Sequence, residues 1–192
     1  MKMKSKKKVF VTVLCAAALV VASVLGTMAF LTSTDKVTNT FTVGKVAITL
    51  DESPVNDAGV VQEGNRVKEN TYKLIPGHEY TKDPIVHVDA DSENSWIFIK
   101  VENQLGDIEA EKLIATQITD NGWTELTDGS GIYYKEYVPG TTATDLNVFE
   151  KFKLTDDADV STYAGKTIKV FAYAIRKDGF TTPEAAWTEL HN

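Results

Sequence analysis

Cysteine is almost missing from this sequence, with a single residue, Cys15, in 192. Cys15 lies inside an uncharged run near the N-terminus. Leu14 rather than a small residue precedes it and the run continues well beyond it, which argues against lipid attachment there. Residues 30–192 contain no cysteine, so that region has no disulfide, no thiol nucleophile and no thiolate metal site. Histidine is scarce too, limited to His78, His87 and His191. Basic residues are few past the N-terminus: 15 of the 20 lie after Ala29 with all 27 acidic ones, a formal charge of −12. Such a body repels phosphate backbones, which argues against nucleic acid as a partner, and it gains nothing from anionic lipid. Glycine motifs that cradle phosphate, internal repeats and low-complexity linkers are also missing.

The N-terminus carries most of the chain's basic clustering. Lys2, Lys4, Lys6, Lys7 and Lys8 precede an uncharged run from Val9 to Gly26, followed by Thr27-Met28-Ala29. A basic head, an apolar middle and small residues one and three places before a cut describe a helical secretory signal peptide. The expected cleavage is between Ala29 and Phe30, by a signal peptidase during export. The run also reaches the lower edge of what spans a bilayer, about 17–25 residues, so an uncleaved anchor is the alternative. Membrane contact is expected only through this segment. Cleavage leaves residues 30–192, the length of one ordinary domain.

Period-two alternation dominates the rest. In "FTVGKVAITL" (41–50), Val46, Ile48 and Leu50 share one face, and Lys45, Ala47 and Thr49 the other. Residues 51–70 are acidic and polar, with Pro54, Gly59 and Gly64, and read as a loop with a short strand at Val60–Val61. "TYKLIPGHEY" (71–80) runs into a Pro76-Gly77 turn, and "PIVHV" (84–88) leads to the acidic corner "DADSEN" (89–94). "WIFIKVEN" (96–103) is apolar on both faces for most of its length, as a central strand would be. "GDIEAEKLIATQI" (106–118) allows a helical turn or two. Asn121-Gly122 and Asp128-Gly129 read as hairpin turn pairs, with strand-like "IYYKEYV" (132–138) and "VFEKFKL" (148–154) following. "TIKVFAYAI" (167–175) is the clearest strand. In "TTPEAAWTEL" (181–190) Thr182 can cap a short helix that Pro183 begins. The predicted fold is all-β: a jelly-roll or Ig-like two-sheet sandwich with a short helical insert and a short C-terminal helix.

Catalytic patterns fall short. "HEYTK" (78–82) approaches the HExxH zinc-protease motif, but Lys82 stands where the second imidazole belongs and His78 follows a turn rather than lying in a helix. "DGSG" (128–131) reads as a turn and lacks the spacing of a nucleophile elbow. His87, Asp89 and Asp91 alternate, and on a continuing strand would point to one side, a candidate Ca²⁺ cluster with Glu93 and Asn94 nearby. Against an EF-hand, Asn94 replaces the sixth-place glycine and Lys100 the twelfth-place glutamate. "DDAD" (156–159) is a second acidic corner. Neither a catalytic residue nor a bound cofactor is expected beyond that candidate Ca²⁺.

The junction with Asn39, Phe41, Gly44, Val46, Ile48 and Leu50 resembles that of the TasA/camelysin family. So do "KLIPGHEYTKDPIVHVDADSENSWIFIKVEN" (73–103) and "FAYAIRKDGFTTPEAAWTEL" (171–190), whereas 104–165 matches only loosely. The resemblance implies a Gram-positive exported protein cut by a SipW-type signal peptidase, a jelly-roll-like sandwich and a place in the extracellular or biofilm matrix. It also implies fibre formation, with a camelysin-like metal-dependent peptidase as the alternative. A monomeric surface module that binds a partner or calcium is a further alternative. The residues add a route to fibres. "FLTSTDKVTNTFTV" (30–43) is rich in β-branched residues and free of Pro and Gly. With Val37, Phe41 and Val43 as its apolar contacts, it could add as a strand to an open edge of another copy. Self-association through this pairing arm is the expectation, with head-to-tail addition that does not close; the alternatives are that residues 30–43 fold back onto their own sheet or remain unpaired.

Overall fold

The run that the sequence marks as apolar on both faces is the middle of the molecule. A computed structural model describes residues 44–192. Its strands are β1 (Ile48–Asp51), β2 (Glu79–Thr81), β3 (Ile85–Val88), β4 (Ser95–Asn103), β5 (Thr124–Glu125), β6 (Ile132–Tyr137), β7 (Asp145–Asn147), β8 (Lys151–Lys153) and β9 (Ile168–Arg176). Its helices are α1 (Leu113–Asp120) and α2 (Pro183–Leu190). The fold is mostly β, and every strand pairing is antiparallel. Where the alternation predicts two sheets, the described residues form three: β1-β3-β7, β2-β8 and β5-β6-β4-β9.

β4 is buried on both sides for a physical reason. Ile97 and Ile99 face the main core, which includes Val86, Tyr133, Tyr137, Leu146, Phe149 and Phe152. Trp96 and Phe98 face the other way and are covered by Ala186, Trp187 and Leu190 of α2. Each fully buried large apolar side chain here contributes about 1.5–3 kcal/mol relative to exposure. The small sheet β2-β8 adds an aromatic group. Tyr80 stacks on Phe152 at 4.8 Å, and Tyr72 meets both edge-on.

The helices follow the sequence in kind and differ in detail. Thr182 caps α2 through a hydrogen bond from Ala185 N–H, and Pro183 opens it. In α1, Ile114 and Ile118 turn into the core, and Glu109 Oε1 accepts from Ile114 N–H. Entry into α1 is strained, with Glu111 at φ 56° and Lys112 at φ 51°. Asn121-Gly122 ends this helix rather than joining two strands: Asn121 N–H bonds back to Gln117 O, and Gly122 takes φ 78°. Asp128-Gly129 does lie between two paired strands, β5 and β6. Val60 and Val61 are exposed, and Val61 forms only an isolated bridge to Val55, so no strand is built there. The signal segment, Ala29, Phe30 and the arm residues Val37, Phe41 and Val43 lie outside the described residues.

Candidate functional site

Among the described residues, β9 pairs with β4 along its whole length and with no strand on its other side. β1 likewise pairs only with β3. These two edges approach each other without hydrogen-bonding, and a groove of about 400 Å³ runs between Ile48–Leu50 and Val170–Tyr173. Lys68 Nζ reaches across the β1 edge to donate to Leu50 O. Beside this groove opens a cavity of about 880 Å³, within the range of ligand clefts, roughly 300–1,000 Å³. Leu50, Leu74 and Phe152 form one wall, and Tyr163, Ile168 and Val170 another. The cavity explains why Ile168 and Val170, whose alternation directs them inward, are only half-buried. Lys68, Lys166 and Lys169 stand at its rim, the kind of charge that guards edge strands against indiscriminate pairing.

Ionic side chains line the same cavity. Lys82 Nζ donates to Glu52 Oε2 at 2.6 Å, and both side chains are about nine-tenths buried. Asn70 Nδ2 donates to Glu52 Oε1 at 3.0 Å. Burial, then the nearby Glu52 and Asp83 carboxylates, pushes the Tyr72 hydroxyl well above its ordinary range. Nearby, Arg66 ties Asp51 to Asp83, and Asp83 in turn accepts from Ser53 N–H and Oγ at 2.7 Å each. The period-two alternation carried a signal for this cluster. Glu52 continues the inward series Val46, Ile48, Leu50, and Lys82 falls in the buried series Tyr80, Pro84, Val86, Val88.

The candidate metal residues do not converge. β3 ends at Val88, so the continuing strand that would align His87, Asp89 and Asp91 is not formed. His87 bonds Asp51 through Nε2 at 2.9 Å and Asp145 through Nδ1 at 2.8 Å. The Asp145 bond, then the Asp51 bond, raises its pKa from the usual 6.5. Burial alone would raise Asp51, yet the bonds from His87 and Arg66 hold it below the ordinary carboxylate value. Asp89 pairs with Lys45 instead, and its Oδ1 accepts from Asp91 N–H in a local turn. Among the described residues, no group of three His, Asp or Glu is placed to hold a metal ion.

"HEYTK" is a turn followed by β2 and not a helix. His78 Nε2–H donates to Ala58 O at 2.9 Å, and its ring lies edge-on to Tyr80. At the second acidic corner, Asp159 caps a short 3-10 turn through Ser161 N–H. Among the described residues no helix is long and apolar enough to cross a membrane. Comparison with protein-family models, curated proteins and solved structures returned no match.

Proposed function

We propose that this chain is an exported structural protein of the extracellular or biofilm matrix, TasA/camelysin-like, that assembles into fibres by strand addition. The observation that carries this reading is the nine-residue edge of β9, which among the described residues is unpaired on one side and flanked by an apolar-walled cavity. An added strand would satisfy the backbone groups of that edge and place alternate side chains in the cavity. The donor is residues 30–43 of another copy, freed when the signal segment is cut after Ala29. In this reading the four-stranded sheet and the two smaller sheets opposite it are the halves of a jelly-roll-like sandwich, with the cavity at its open seam.

The test compares residues 30–192 with residues 44–192 by electron microscopy after purification. Fibres from the longer chain and none from the shorter support the reading, and equal assembly overturns it. Secretion is checked on the same material, since the secreted polypeptide must begin at or beside Phe30.

A further inference from the structure

We propose that Lys82 and Asn70 become joined by an intramolecular isopeptide bond, with Glu52 carrying the proton. The cluster lies within one chain, so the inference stands apart from strand addition. Two groups with complementary chemistry, an amine and an amide, meet at one carboxylate. Glu52 Oε2 accepts from the Lys82 amine at 2.6 Å, and Glu52 Oε1 accepts from the Asn70 amide nitrogen at 3.0 Å. The Asn70 carbonyl oxygen, Oδ1, accepts from Val55 N–H at 2.9 Å. That backbone donor is aimed at the atom on which negative charge develops when the amide carbon is attacked. Asn70 Nδ2 also donates to Ser53 O at 2.8 Å, which fixes the amide's orientation.

The framework holds each partner in place. Glu52 exchanges two backbone hydrogen bonds with Val67, at 2.9 and 2.7 Å, and Lys82 N–H donates to Glu150 O at 3.0 Å. Lys82 and Glu52 are buried, and Glu52 is the acceptor for Lys82 Nζ among the described residues. Glu52 Oε2, 2.6 Å from Lys82 Nζ, is the group placed to take a proton from the amine as it attacks. Holding nucleophile, proton carrier and electrophile together replaces three separate encounters with one intramolecular step.

The reaction balances without an oxidant or co-reactant. Lys82 Nζ–H₃⁺ gives a proton to Glu52, and the free amine attacks Asn70 Cγ. As the tetrahedral species collapses, the Nζ–Cγ bond remains and the Cγ–Nδ2 bond breaks. Glu52 delivers its proton to Nδ2 and takes the surplus proton from Nζ, and ammonia departs into the cavity that all three side chains line. The product is a secondary amide closing the segment 70–82, which includes Tyr72 and Leu74 of the cavity wall. Residues 30–192, which contain no cysteine, thereby gain a covalent clamp that reductants cannot open.

The experiment is a tryptic digest of the folded, secreted protein read by tandem mass spectrometry. A linked Lys82 is not cut by trypsin, so residues 69–73 should appear attached to residues 74–100, lighter by one ammonia than the sum of the free peptides. Glu52→Gln should slow the linkage by about 100-fold or more, the scale of a lost general acid–base, and Asn70→Ala should abolish it. Separate peptides 69–73, 74–82 and 83–100 from the wild-type protein would overturn the proposal, whatever the variants do. Intact mass alone does not decide, because Asn121-Gly122 can lose ammonia by cyclising on its own backbone. The position of the link decides.

Discussion

His87 Nε2 lies 2.9 Å from Asp51 Oδ1, and the other ring nitrogen of His87 reaches Asp145, so one imidazole spans two carboxylates. Both bonds are donated only by the protonated ring. The raised His87 pKa therefore contributes stability that is complete below the ordinary value of 6.5 and is lost as pH rises through the folded-state value. Asp51, held low by His87 and Arg66 against its burial, contributes stability present above 3.8 and lost as pH falls through its folded-state value. Asp145 and the Arg66 guanidinium complete the charged surroundings of this pair. Urea midpoints measured across mildly acidic to mildly alkaline pH should decline on the alkaline side, and His87→Asn should flatten that decline. An unchanged slope in the variant would remove His87 as its source.

Trp187 packs on Phe98 and Tyr173 with ring centroids 5.3 Å away in each case. Trp187→Ala should cost about 3 kcal/mol, the low end for a large aromatic because the ring is only partly buried. The measurement is the midpoint of denaturant unfolding. A change below about 0.5 kcal/mol, the scale of an ordinary surface substitution, would mean that α2 does not hold the sheet.

Lys112→Gly should act in the opposite direction. Lys112 has φ 51°, a region that costs a side-chain-bearing residue about 1–2 kcal/mol, partly offset by glycine's greater freedom when unfolded. A net gain of about 0.5–1 kcal/mol in thermal or urea unfolding is expected.

Gly59→Ala should destabilise strongly. Gly59 has φ 72°, and an added Cβ would stand 2.9 Å from Tyr80 Cα and Cβ, with no flexible side-chain end to yield. Overpacking of this kind costs about 1–3 kcal/mol, and the unusual φ adds to it.

Val170→Glu places a charge on the cavity wall. If a strand is accepted there, fibre formation by residues 30–192 should fall while the monomer still melts cooperatively. Undiminished fibres from a folded variant would move the docking site elsewhere.

Much of the fold was readable because alternation records which face of a strand meets apolar surroundings. The first half of β9 follows that record, β4 is buried on both faces as its doubly apolar run predicts, and α2 follows its cap and proline. The split into three sheets was not readable. Alternation says which side is apolar and nothing about which strand pairs with which, a matter settled by chain closure and the short lengths of β2 and β8. Asn121-Gly122 carries the same chemistry whether it ends a helix or turns a hairpin, and only Ile114 and Ile118 meeting the core decide between them. The Glu52–Lys82 pair sat at inward positions of two alternating runs, yet each charge alone argues for solvent. The partner that overrides the argument lies thirty residues away.

The helix that seals the outer face of β4 has a consequence for any polymer of this molecule. With Trp96 and Phe98 already covered by α2, this face of the four-stranded sheet is not bare for a neighbour to lie against. If strands add at the seam as proposed, a filament of folded subunits would be a string of beads with a subunit-length repeat. It would lack the dry face-to-face layers, about 10 Å apart, that give amyloid its resistance to dissolution.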